Sequence, residues 1–326
     1  MQAIVLVGGE GTRLRPLTSD VPKPALTLVD RPFLAYMIEW LGAHGVTEAV
    51  LACGFLPDVL QEALGEGEHA GVKLTYVTEP DRRGTAGAIR FAADALGADL
   101  DERFLALNGD VLTDLDLTAL MNAHREREAR ATIALYPVED SAAYGLVSVD
   151  GEGGVTEFVE KTGEPVPGEI NAGAYFLERS VLDLIPPDRE VSIEREVFPL
   201  LVGNGLGALR LDGYWMDIGT PERYLQASWD ILEDRVSTQV RPTAPGLLIG
   251  AGAEIADGAV VGPRAVVGPG CSVAAGAQVR DSVLLDGCEV GTGAVVSGSV
   301  LAAGVTVAAG TELVGAVIGQ GERVPA

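Results

Sequence analysis

Lysine is almost missing from this chain: of 23 basic residues among 326, only Lys23, Lys73 and Lys161 are lysines. Basic residues of either kind are outnumbered by 47 acidic ones, giving a formal charge of -24. Phosphate backbones and anionic bilayers repel so negative a chain, which excludes nucleic acid and membrane surfaces as general partners. The exclusion does not extend to small polyanions, which a few local cations can hold.

Cysteine is equally scarce. Cys53, Cys271 and Cys288 cannot build a disulfide framework and show no C-x-x-C spacing, which points to a reducing, cytoplasmic setting. No apolar run approaches the roughly 18 residues of a transmembrane helix. The opening MQAIVLVGG lacks the positive region of a secretory signal, so a soluble chain beginning with a strand is expected. The three histidines, His44, His69 and His124, fall in turn-like or helix-surface contexts away from every motif, so no obvious general base presents itself. Lys73 stands at the polar start of a strand and reads as a solvated edge residue.

The last absence divides the chain. All 17 aromatic residues lie at or before Trp229, and the final 97 residues have none. What they have is a rhythm: Ile249, Ile255, Val261, Val267, Val273, Val279, Leu284, Val290, Val296, Leu301, Val307, Leu313, Ile318 and Val324 recur every six residues, with a five after Val279, Val296 and Leu313. Small residues, among them Ala265, Cys271, Ser282, Cys288 and Ser299, sit two positions earlier. This is the hexapeptide signature of a β-helix, and it resembles left-handed examples. Cys271 and Cys288 share one column a coil apart; with no second pair of ligands nearby they read as packing residues and not as a metal site.

A chain of 326 residues exceeds what one core usually organises. The expected division is 1–230, a connector at 231–245, and a β-helix at 246–326. Thr220, Pro221 and Glu222 signal the start of a helix leading into the connector. Before it, strand-like segments at 2–7, 48–53, 73–79 and 103–108 alternate with helix-like segments at 33–43, 57–64, 85–96 and 116–128. Such alternation predicts an α/β, doubly wound, mostly parallel Rossmann-like sheet, with ligands beyond the carboxyl ends of its strands.

The motifs fall at those ends. Strand 2–7 runs into Gly8-Gly9-Glu10-Gly11-Thr12-Arg13-Leu14-Arg15-Pro16-Leu17-Thr18, followed by Pro22-Lys23-Pro24. Glycines there let a backbone approach phosphate, although this is neither a dinucleotide fingerprint nor a Walker loop. Next come Glu79-Pro80 with Gly84-Thr85-Ala86-Gly87-Ala88, then Asn108-Gly109-Asp110, Tyr144-Gly145, Phe158-Val159-Glu160-Lys161, Asn171-Ala172-Gly173 and Trp215-Met216-Asp217-Ile218-Gly219. Together these resemble the sugar-nucleotide pyrophosphorylases, nucleotidyltransferases that act on sugar 1-phosphates.

The resemblance implies a division of labour. Arg13 and Lys23, with Arg15 a weaker candidate, would hold a nucleoside triphosphate and stabilise departing pyrophosphate, helped by Leu6, Gly8, Gly9, Gly11 and Thr12. Glu79, Gly84 and Thr85 would line the nucleotide. Asp110 and Asp217 would carry Mg²⁺, whose preference for oxygen ligands suits paired carboxylates. Lys161 would contact the sugar phosphate, with Glu160, Asn171 and Gly145 orienting the ring. Arg195 is either a phosphate ligand or part of a surface salt bridge. A sugar phosphate is already ionised at neutral pH, so in-line positioning and charge stabilisation suffice without a base.

The segments 170–175, 192–199 and 214–219 resemble mannose-1-phosphate guanylyltransferases, which implies GTP and mannose 1-phosphate as substrates. Glucose-1-phosphate thymidylyl- or uridylyltransferase is the nearest alternative, and a catalytically inactive sugar-nucleotide-binding regulator is an alternative of another class. An acyltransferase role for the β-helix lacks its histidine, since none follows His124. The β-helix is expected to be structural, packing on the catalytic domain or a neighbouring subunit of a homo-oligomer.

Overall fold

The computed structural model describes residues 1–159, 163 and 165–326, so the expectations for Glu160 and Lys161 lie outside the described residues. The chain packs as two compact units: Met1–Gly9 with Met37–Trp215, and Glu10–Tyr36 with Met216–Ala326.

The first unit is built on one mixed sheet. Strands β1 (Gln2–Val7), β2 (Glu48–Cys53), β3 (Val72–Thr78) and β4 (Arg103–Asn108) are the four read from sequence, and they lie parallel in the order β4-β1-β2-β3. The apolar runs of β1, β2 and β4 suit strands buried on both faces; Ile4, Val50 and Phe104 are fully buried. Helices α1 (Phe33–Ala43), α2 (Pro57–Leu64), α3 (Gly84–Leu96) and α4 (Leu117–Glu126) connect or follow them, close to the expected bounds. Beyond β4 the pattern changes to antiparallel. The long strand β8 (Gly168–Glu178) pairs with β4 on one side and with β5 (Ala131–Val138) on the other. The hairpin of β6 (Leu146–Val149) and β7 (Val155–Val159) joins through β6, while β9 (Leu206–Arg210) runs parallel to β5.

One sequence expectation fails here. His124 is not on a helix surface but fully buried. On α4 it faces the sheet, with Nδ1 2.8 Å from Thr132 Oγ1, Nε2 3.3 Å from Glu178, and its ring edge-on to Phe176. Burial holds its pKa below the usual histidine value, opposed by Glu178. It stands seven residues after Leu117 on the buried stripe that includes Leu120 and Met121, a place where the helical period outweighs the polarity of the side chain. Lys73 is exposed as expected, and pairs with Glu48 at 2.8 Å.

In the second unit every position of the six-residue rhythm lies in a short strand, and the strands form three all-parallel sheets of a β-helix. The aliphatics from Val267 to Val307 are buried in its core. At three positions the small residue has a hydrogen-bonding reason as well as a steric one, because its side chain accepts a backbone N–H one coil on. Cys271 Sγ accepts from Cys288 N (3.3 Å), Ser282 Oγ from Ser299 N (3.1 Å) and Ser299 Oγ from Ala316 N (3.0 Å). One sheet is apolar on its outer side too, with Val266, Val283 and Val300 fully buried. Helix α5 (Pro221–Leu232) packs there, Trp229 lying 5.9 Å beneath the Arg264 guanidinium. Thr220 Oγ1 caps α5 by accepting from Arg223 N, with Pro221 in its first turn, as the sequence signals.

Candidate active site

In the first unit the loops that follow the parallel strands gather at one edge. Two backbone bonds continue the ladder past the strand ends: Glu79 N donates to Cys53 O and Gly109 N to Leu6 O, each at 2.9 Å. They bring Gly8, Glu79 and the Asn108-Gly109-Asp110 turn to the carboxyl edge, where an open parallel sheet takes its ligand. The Glu79 carboxylate lies over Gly8, since a methyl group there would stand 3.7 Å from Oε1. Burial raises the Glu79 pKa above the usual carboxylate range, opposed by the Arg83 backbone N–H and charge. The adjoining Cys53 thiol is pushed up to about 12, by burial first and Glu79 second, which keeps it neutral and unreactive.

The glycine loop 84–88 opens α3, but its small residues answer to the chain itself. Gly84 has φ +66°, and a methyl group there would meet Val191 O at 2.7 Å. Thr85 Oγ1 donates to Glu194 Oε2 and accepts from Ile193 N, both at 2.8 Å, while Ser192 Oγ donates to the same carboxylate oxygen. The Thr85 hydroxyl is therefore engaged by the 192–194 segment, a contact that sequence reasoning missed because the partners lie over 100 residues apart. Residues 193–197 form a π-helical turn, with Arg195 exposed on it; the salt bridge of this segment is Arg189 with Glu196.

Asn171 begins an irregular stretch of β8. Its N–H donates to Gly145 O, its Oδ1 accepts from Gly173 N, and its Nδ2 donates to the Tyr175 hydroxyl. The amide thereby shapes the backbone that carries Ala172 and Gly173 alongside Gly145.

The second unit holds Arg13, Arg15 and Lys23. Gly11, at φ +62°, turns the loop so that the Lys23 stem passes against it, and Thr18 Oγ1 fixes the turn by donating to Gly11 O. Pro22 then leads into a short 3-10 turn that directs Lys23 inward. Only 6% exposed, Lys23 lies among Leu14, Leu26 and Phe33, with Nζ 3.5 Å from Asp217 Oδ1. Arg223 approaches the other Asp217 oxygen at 3.6 Å and bonds the Asp217 carbonyl. The Arg13 guanidinium rests on the backbone of Gly219, whereas Arg15 is exposed and pairs with Glu10. Tyr224 of α5 donates to Thr27 O and ties the helix to this loop.

No helix among the described residues is long and apolar enough to cross a membrane. Among them, too, no three His, Cys, Asp or Glu residues form a metal cluster. Asp110 in the first unit and Asp217 in the second each offer oxygen donors only, the chemistry that suits Mg²⁺.

The family described as nucleotidyl transferase matches residues 2–234, and that described as GMPPB C-terminal domain matches residues 243–325. Mannose-1-phosphate guanylyltransferase of Mycobacterium tuberculosis is 41% identical over 237 residues, covering 71% of this chain and 65% of the relative. Mannose-1-phosphate guanyltransferase of Schizosaccharomyces pombe is 39% identical over 259 residues, covering 78% and 69%. The chain thus spans slightly less than two thirds of the mycobacterial relative. Among solved structures, HddC from Yersinia pseudotuberculosis is similar at a TM-score of 0.62 and 29% identity, covering 71% of this chain and 99% of that one; its complex with GMP-PN gives 0.60. The chain belongs to the nucleotidyl transferase family.

Proposed function

We propose that this protein transfers a nucleotidyl group from a nucleoside triphosphate to a sugar 1-phosphate, with GTP and mannose 1-phosphate as the pair and GDP-mannose and pyrophosphate as products. The observation that carries the reading is the buried Lys23 paired with Asp217 and held beside Arg223. A buried ion pair of this kind adds little to stability, so in a chain with only three lysines an ammonium held at this place fits a cation that meets a phosphate. The names of the relatives above support the choice of base and sugar; thymidylyl or uridylyl transfer to glucose 1-phosphate is less favoured.

In this reaction an oxygen of the sugar phosphate attacks the α-phosphorus in line, and the bond from that phosphorus to the β-phosphate oxygen breaks. Arg13 and Lys23 hold the β- and γ-phosphates and stabilise the charge that gathers on departing pyrophosphate. Backbone at Gly8, Gly9, Gly11 and Thr12 packs on the phosphates, while Leu6, Glu79 and the Gly84-Thr85 backbone line the nucleotide. Gly145 and Asn171, together with Glu160 and Lys161, receive the sugar phosphate; Arg195 is a further phosphate contact. Asp110 and Asp217 are the carboxylates for Mg²⁺, which supplies charge neutralisation at the phosphates when bound. No proton need be removed from the nucleophile.

The proposed division remains a catalytic domain at 1–230, a connector at 231–245 and a β-helix at 246–326, supported by the two family matches. We place the protein in the cytoplasm as a homo-oligomer. The function is tested in reverse: GDP-mannose and labelled pyrophosphate with Mg²⁺ should yield labelled GTP. Formation of no labelled triphosphate from any nucleotide sugar would overturn the reading and favour a binding-only regulator.

A further inference from the structure

Three aromatic rings that have no role above meet at the carboxyl edge of the first unit. The Trp215 indole donates through Nε1 to Ala172 O at 2.8 Å. Tyr136, near the end of β5, stacks on it at 5.6 Å between centroids with 28° between planes. Tyr144 meets it edge-on at 5.3 Å and 79°. All three rings are half-buried, so the cluster belongs neither to the core nor to open surface.

Its surroundings are polar and shaped. Ala172, which accepts the indole N–H, follows Asn171, and Asn171 N–H bonds Gly145 O. An aromatic face next to fixed amide and backbone groups suits a pyranose: the C–H patch of the ring packs on the indole while hydroxyls reach the polar groups. One hydrogen bond fixes only the Nε1 edge of Trp215. The stacked Tyr136 ring fixes the plane of the indole, in the offset arrangement that aromatic pairs favour.

We propose that Tyr136 is a positioning residue which holds the Trp215 indole as a wall for the sugar ring of the sugar 1-phosphate. This rests on the nucleotidyl-transfer reading and adds to it the element that recognises the hexose.

Tyr136→Leu removes the ring at similar volume, and Tyr136→Phe keeps it. In Tyr136→Leu the KM for mannose 1-phosphate should rise roughly three- to tenfold, the scale of one lost aromatic pair, with the KM for GTP unchanged. Tyr136→Phe should restore the wild-type value. A rise in the KM for GTP alone, as a nucleobase platform would give, equal rises in both KM values, or a fall in kcat alone would overturn the proposal. A second measurement does not depend on the variants folding. Trp40 and Trp229 are buried, so Trp215 is the half-exposed tryptophan. With a non-hydrolysable GTP analogue present, mannose 1-phosphate should change tryptophan emission in the wild-type protein, and Trp215→Phe should lose that response. A wild-type chain that turns over but shows no emission change also overturns the proposal. Absence of turnover with every hexose 1-phosphate would instead sink the nucleotidyl-transfer reading, leaving the emission titration to report on the indole wall.

Discussion

Lys23→Met separates the chemical use of the buried ammonium from its structural use. Methionine nearly preserves the stem among Leu14, Leu26 and Phe33 and deletes the charge. At 3.5 Å from Asp217, a unit pair in an effective dielectric of about 20 carries roughly 5 kcal/mol of Coulomb energy, offset by the cost of burying both groups. Arg223, 3.6 Å from the other carboxylate oxygen, remains to compensate Asp217. Net stability should therefore change by only about 1 kcal/mol, which moves Tm by a few degrees. A cation aimed at developing oxyanion charge is different: its removal should lower kcat by about 10²- to 10³-fold. Thermal unfolding and continuous pyrophosphate release on one preparation read both quantities. A folded Lys23→Met protein with more than a tenth of wild-type kcat would refute a role on the leaving group, and unfolding at room temperature would show the ammonium to be chiefly structural.

Three further outcomes are expected. Asp110→Asn should nearly abolish Mg²⁺-dependent pyrophosphate release with Tm little changed; retention of most activity would remove Asp110 from the metal site. Gly84→Ala places a methyl group against Val191 O at a positive φ, so it should cost roughly 1–3 kcal/mol and raise the KM for the triphosphate; urea unfolding and steady-state kinetics measure the two effects. Because burial depresses the His124 pKa, the unfolded chain binds this proton first as pH falls. Its contribution is complete above the unfolded pKa of about 6.5 and is lost below it at up to about 1.4 kcal/mol per pH unit. His124→Gln should flatten the dependence of urea midpoints between pH 7.5 and 5.5, and an unchanged slope would assign that dependence to other groups.

The parallel core was legible because three of its four strands are apolar runs ended by glycine or a polar turn: 2–7, 48–53 and 103–108 are strands at those bounds. The β-helix was legible because its period is strict. Long-range pairing was not. Nothing local marks β8 as the strand that joins β4 to β5, and no spacing announces that Thr85 and Glu194 share a hydrogen bond. The outward valines 266, 283 and 300 look like ordinary strand residues until α5 is seen on that sheet. At the candidate site Lys23 and Asp217 stand out in their motifs, whereas the approach of Arg223 to Asp217, the engagement of Asn171 and Thr85 within the chain, and the stacking of Tyr136 on Trp215 depend on contacts that no motif announces.

The most direct measurement is a panel of four nucleoside triphosphates against mannose and glucose 1-phosphates, with Mg²⁺ and pyrophosphate as the readout. GTP with mannose 1-phosphate should give the highest kcat/KM, and omission of the metal should stop it. Faster turnover of a thymidine or uridine triphosphate with glucose 1-phosphate would contradict the assigned substrates, and no pyrophosphate from any pair would contradict nucleotidyl transfer itself.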